Sequence, residues 1–226
     1  ENLNQIKYEF LQTVASSLRA HGSHKVMQWQ EIAAALINEV MVYNYTPQKY
    51  IDNIYPHNFK KHSHQFIDKL TGIVLQKKPE ITNPYLIRAI LWTLSSVHNT
   101  YAIYWLSGLE LTQQQAEVLG LPNIEKDDKE AEGLKTVRQI LDIISDYKVP
   151  VICFDELDNT EVNENGFLTA QVVASLVKDL YNSLKRGVFL LGMYPGTWRE
   201  QIKVLPQAEA VIDRLVSEQS DRQPLK

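Results

Sequence analysis

What the chain lacks narrows its chemistry before any motif is read. Its 226 residues include one cysteine, Cys153, so no disulfide can form within it, as expected of a protein kept in a reducing cytoplasm. Cys153 lies inside an apolar run, where a thiol is expected as a small buried hydrophobe rather than as a nucleophile. No apolar stretch approaches the ~18 residues that mark a membrane span, and no signal segment opens the chain, so no membrane association is expected. Nothing matches Gly-x-x-x-x-Gly-Lys-Ser/Thr, the loop whose amides cradle phosphates. His21-Gly-Ser-His-Lys25 has the wrong glycine spacing, and Leu70-Thr-Gly-Ile73 has no lysine in place. The Gly-x-Ser-x-Gly elbow of a Ser/His/Asp hydrolase is missing too. Internal repeats and low-complexity stretches are also absent.

The formal net charge of −4 speaks against wholesale nucleic-acid binding. Residues 1–78 carry nine Lys/Arg against six Asp/Glu, an imbalance too small to define a partner surface. A helical DNA-binding module would show a strongly salt-dependent affinity for DNA, and the overall charge disfavours it. His57, His62 and His64 invite a metal reading, but His62 and His64 are two apart and point in different directions on a helix. No cysteine or suitably spaced acid completes a ligand set, so a solvated polar turn is expected there.

Most of the chain is patterned as helix. Ile6, Phe10, Leu11, Val14 and Leu18 recur at three- and four-residue spacing over residues 2–20, an amphipathic helix closed by His21-Gly22-Ser23. A second helix should run to about Tyr43. Thr46-Pro47 and Asn83-Pro84 each place a capping side chain before a proline that has no amide to orphan. Phe66, Leu70, Ile73 and Val74 mark one further helix, and Leu86, Ile87, Ile90, Leu91 and Leu94 another. The aromatics Tyr101, Tyr104 and Trp105 fit core packing better than a base-stacking platform. Thr112 and Gln115 have the spacing of a capping box. After the acidic segment Glu125–Glu132, a longer helix should bury Leu134, Val137, Leu141 and Ile144. No segment before residue 149 reads convincingly as a strand.

From Val149 the pattern changes. Val151-Ile-Cys-Phe154 is a short continuous apolar run, as in a parallel strand buried on both faces, and Asp155, Glu156 and Asp158 follow at once. Acids just beyond a strand's carboxyl end lie where open α/β sheets bind ligands; a solvated acidic turn is the plainer alternative. A helix of roughly 20 residues with Val173, Leu176, Leu180 and Leu184 in register should follow, closed by Lys185-Arg186-Gly187. Val188 to Leu191 is a second buried-type strand. Strand, helix and strand make a βαβ unit, expected to be parallel and right-handed.

The hydrophobic strand ending in Asp-Glu resembles the Walker B motif of P-loop ATPases. That resemblance implies that Asp155 holds Mg²⁺ through water and that Glu156 polarises the attacking water. The strand after Walker B in AAA-like ATPases carries a polar sensor, for which Tyr194 and Thr197 are the candidates here. Thr197-Trp-Arg-Glu200 also reads as a capping box for the next helix, the stronger of its two readings. Arg214, within Ala210-Val-Ile-Asp-Arg-Leu215, resembles an arginine finger offered to a neighbouring subunit's nucleotide, with a surface arginine on an amphipathic helix as the alternative.

A longer order adds to this: Arg88-Ala-Ile-Leu-Trp92, Tyr104-Trp-Leu-Ser-Gly108, Ala116-Glu-Val-Leu-Gly-Leu-Pro122, then the Asp-Glu strand. Over residues 85–215 it resembles AAA-like ATPases of the origin-recognition-like and STAND-like kind, among them the ATP-binding proteins of bacterial phage-exclusion (BREX-type) systems. The implied fold class is helix-rich α/β: a helical insertion over residues 1–148, the Walker B and sensor half of a P-loop core over 149–218, and a tail over 219–226. The implied activity is ATP hydrolysis with Mg²⁺ that switches or remodels a protein–nucleic-acid assembly, with homo-oligomer or other subunits as partners and nucleic acid reached through the assembly. Glu1 is not a methionine and already lies in a helical pattern, as in a fragment of a longer protein. Without the phosphate loop, the fragment itself should not bind ATP tightly. A non-catalytic interaction domain with a degenerate NTPase fold is the alternative, and it would hold partners through its helical part.

Overall fold

Buried tryptophans organise the helical part of the chain. The computed structural model describes residues 2–62, 64–123, 129–205 and 209, and the chain divides into two compact units, one of residues 8–137 and the other of residues 1–7 with 138–226. In chain order the first helices are α1 (Ile6–Ser17), α2 (Gln28–Met41), α3 (Pro47–Lys49), α4 (Tyr55–His62), α5 (Gln65–Lys77), α6 (Pro84–Trp92), α7 (Asn99–Leu106) and α8 (Gln113–Leu119), followed by α9 (Lys129–Tyr147). A π-helical turn, Tyr50–Ile54, carries α3 into α4. An indole that is buried must still satisfy its N–H. Trp29 donates to Ala15 O at 3.0 Å, Trp92 to Leu119 O at 2.9 Å, and Trp105 to Pro122 O at 2.8 Å. Each tryptophan thus buries its ring in one helix packing while stapling a second segment by its carbonyl.

Several helix starts follow the capping logic of the sequence. Asn83 accepts from the amides of Tyr85 and Leu86, and Thr46 accepts from Lys49 N. Thr112 and Gln115 form the reciprocal box, Gln115 N donating to Thr112 Oγ1 and Thr112 N to Gln115 Oε1. His64 differs from expectation, whereas His57 is exposed. His64 does not lie in a solvated turn; its ring packs 5.6 Å from that of Trp92. Among the described residues no group of three or more His, Cys, Asp or Glu is arranged to hold a metal, and the side chain of His62 lies outside what is described.

The ring of His98 lies 4.8 Å from Trp92 and 6.2 Å from Phe59, with its Nδ1 3.1 Å from Ser95 Oγ. Burial, and secondly the neighbouring His64, push its pKa below the ordinary histidine value of 6.5. The unfolded chain therefore takes up a proton at a higher pH than the folded chain does. Stability contributed by neutral His98 is complete above pH 6.5 and is lost as the pH falls from there through the lower folded-state pKa. The urea midpoint should accordingly fall between pH 7.5 and pH 5, and this fall should shrink in His98→Gln when both are followed by tryptophan fluorescence.

The second unit contains the strands. β1 (Val151–Phe154) and β2 (Val188–Leu191) form a two-stranded parallel sheet, pairing Val151 with Val188 through to Phe154 with Leu191. Between them runs α10 (Thr169–Leu180), and after β2 comes α11 (Pro195–Thr197), leading into a π-helical turn, Trp198–Ile202. Phe154, Phe189 and Leu191 pack with Met193 and Trp198 against a core of Leu157, Ala170, Val173, Ala174, Val177 and Ile202. The fold is thus helix-rich with a small parallel sheet.

Burial on both sheet faces does not hold. Val151 is 64% exposed, Val188 43% and Leu190 49%, and Cys153 is exposed rather than buried. The cause is one-sided packing, because the core around α10 takes only the alternate residues of each strand. The crossover helix is also shorter than the periodicity implied. It ends at Leu180, and a 3₁₀ turn, Tyr181–Ser183, leads into an extended Leu184. Lys185 and Arg186 therefore do not close α10. Lys185 pairs with Asp142 and Asp146 of α9, while Arg186 donates to the carbonyls of Ser145 and Asp146. Their charge complements the C-terminal end of α9, where the helix dipole favours a cation. Gly187, at φ +141°, serves the turn into β2, where a Cβ would come within 2.7 Å of Pro150 O.

Candidate functional site

The acids lie at the carboxyl end of β1, beside the end of β2. Gly192 brackets them: its N–H donates to Phe154 O at 2.8 Å, and its carbonyl accepts from Leu157 N at 3.3 Å. Asp155 and Glu156 are the two residues between those anchors, and both are exposed. The chain must turn sharply to leave and rejoin Gly192 within so few residues. Glu156 does so with φ +57°, in the left-handed region, which costs a non-glycine residue on the order of 1–2 kcal/mol. Its N–H donates to Asp155 Oδ1 at 2.9 Å. Asp155 Oδ1 also explains the glycine opposite, since a Cβ on Gly192 would lie 2.5 Å from it.

Asp158 is half-buried and reaches across to the segment after β2. Its Oδ1 accepts from Tyr194 N at 2.8 Å and from the Thr197 hydroxyl. This overturns the capping role expected of Thr197. Pro195 takes the first helical position, suited to it because it has no amide to leave unpaired, so α11 begins two residues before Thr197. The threonine is then inside the helix, with its hydroxyl turned towards Asp158. Tyr194 is 72% exposed, and its side chain does not cap the helix.

Of the sequence candidates, the fold brings Asp155, Glu156 and Thr197 to the carboxyl end of the sheet, with Tyr194 on the same connecting segment. Arg214 lies outside the described residues. Sequence reasoning noted Asp158 only as a third acid and missed its two bonds, made to residues 36 and 39 positions away. Chemically, Asp155 presents a carboxylate with one oxygen held by a backbone amide and the other with no hydrogen-bond partner among the described residues. Such a carboxylate suits a hydrated divalent cation approached from solvent. Comparison with family models, with curated proteins and with solved structures finds no match.

Proposed function

We propose that residues 149–218 are the Walker B and sensor half of an AAA-like P-loop ATPase, whose phosphate-binding loop is supplied from outside these residues. The observation that carries this reading is the position of exposed Asp155 and Glu156 at the carboxyl end of a parallel strand, directly beside Gly192 at the end of its partner. Open α/β sheets bind ligands at that edge. Mg²⁺, when bound with ATP, neutralises charge on the phosphate oxygens. Asp155 would hold that ion through water, and Glu156 would orient and polarise the attacking water. Tyr194 and Thr197 occupy the sensor segment, and Arg214 is assigned the role of arginine finger towards a neighbouring subunit. Hydrolysis would then switch or remodel a protein–nucleic-acid assembly, with residues 1–148 as a helical insertion. No described helix is long and apolar enough to cross a membrane.

Asp155→Asn in the intact protein tests the assignment. The amide keeps the shape of the side chain but loses the charge that attracts the cation, so the Mg²⁺ concentration needed for half-maximal ATP turnover should rise about tenfold or more. An unchanged Mg²⁺ dependence would remove Asp155 from the site. Absence of ATP binding by the intact protein would favour the non-catalytic interaction domain.

A further inference from the structure

Asp155 and Glu156 are held by contacts on both sides. On the near side, Gly192 binds Phe154 O and Leu157 N, the residues flanking the acidic pair. On the far side, Asp158 fixes the segment that follows Gly192, accepting from Tyr194 N and from the Thr197 hydroxyl. Gly192 therefore belongs to a stretch tied to the acidic loop at both ends, and Asp155 Oδ1 lies only 2.5 Å from where a Cβ on Gly192 would be. The left-handed backbone of Glu156 persists only while those ties over-determine it.

A threonine hydroxyl has one hydrogen to donate, and here it goes to Asp158. Thr197 is in that case not a free donor facing the site. We infer that Asp158 is a positioning residue that, through Thr197 and Tyr194, holds the segment after β2 in the place that aims Asp155 and Glu156. This rests on the reading of those two acids as the cation- and water-handling pair. Neither Asp158 nor Thr197 touches the cation or the substrate. Their effect is exerted through Gly192 and Asp155, as partners behind a metal ligand act on its orientation.

Titration of this 226-residue chain with Mn²⁺, followed by paramagnetic broadening of backbone amides, separates the inference from the reading beneath it. In the unaltered chain, Mn²⁺ should broaden Asp155 and Glu156 first. Thr197→Val should require about tenfold more Mn²⁺ for the same broadening, while the amide shifts of β1 and β2 stay in place. Thr197→Ser, which keeps the hydroxyl, should titrate within about twofold of the unaltered chain. If Thr197→Val disturbs the sheet, Thr197→Ala, which adds no bulk, is held to the same criterion. Broadening in the unaltered chain with no shift in the hydroxyl-free variant would overturn the positioning role and leave the acid assignment standing. An unaltered chain whose Asp155 and Glu156 ignore Mn²⁺ would overturn the acid assignment, and the positioning role with it.

Discussion

Glu156→Gln should lower ATP turnover by the intact protein by about two to four orders of magnitude, the range over which a positioned proton acceptor contributes. Glutamine matches glutamate in length and shape, and the side chain is exposed, so no packing is lost. The left-handed backbone is as costly for one as for the other, which leaves the fold's stability nearly unchanged. What disappears is the carboxylate that polarises water. Because Asp155 keeps its charge and place, affinity for MgATP should change by less than about threefold. A fall in kcat with little change in binding is the signature of an interaction made in the transition state. Steady-state hydrolysis beside equilibrium nucleotide binding would measure both.

Trp92→Ala should be among the most destabilising single changes in the helical unit, about 3–5 kcal/mol. Trp92 is fully buried, with its ring 5.2 Å from Phe59, 4.8 Å from His98 and 5.6 Å from His64. Truncation would leave a cavity between α4, α6 and the start of α7. Against a total stability of about 5–15 kcal/mol, a loss of about 3–5 kcal/mol removes at least a fifth of the reserve. The orphaned-carbonyl penalty is small, because Leu119 O also accepts from Arg88 Nε. Trp92→Phe, which keeps an aromatic ring and loses the N–H, should therefore cost clearly less than the alanine change. Urea unfolding of the two variants would rank them, and equal costs would contradict the cavity account.

The parts of the fold legible in the sequence are those whose cause is local. Val151–Phe154 and Val188–Leu191 stand out as apolar runs, and both form the strands observed. Asn83 and Thr112 announce helix starts because a cap and its amides lie within three residues. Asp155 and Glu156 were legible for the same reason, as acids directly abutting a strand. Exposure of Val151, Cys153, Val188 and Leu190 was not, since a continuous apolar run looks alike whether one face is covered or both. The end of α10 is not legible in the sequence, because Leu184 keeps the apolar spacing although the chain has already become extended. Lys185 and Arg186 follow the periodic run of α10 in sequence, whereas their partners are Asp142, Ser145 and Asp146 of α9, about 40 residues earlier. The link from Asp158 to Thr197 had no sequence signal at all. It exists because β1 and β2 pair in register and bring the two following segments side by side.

The most direct test is the fate of labelled ATP on the Glu156→Gln form of the intact protein. If the β1 loop belongs to a nucleotide-hydrolysing site, the variant should retain bound, unhydrolysed ATP under conditions in which the unaltered protein releases ADP. Release of ADP at the unaltered rate would contradict the assignment of Glu156 and the ATPase reading of the β1 loop.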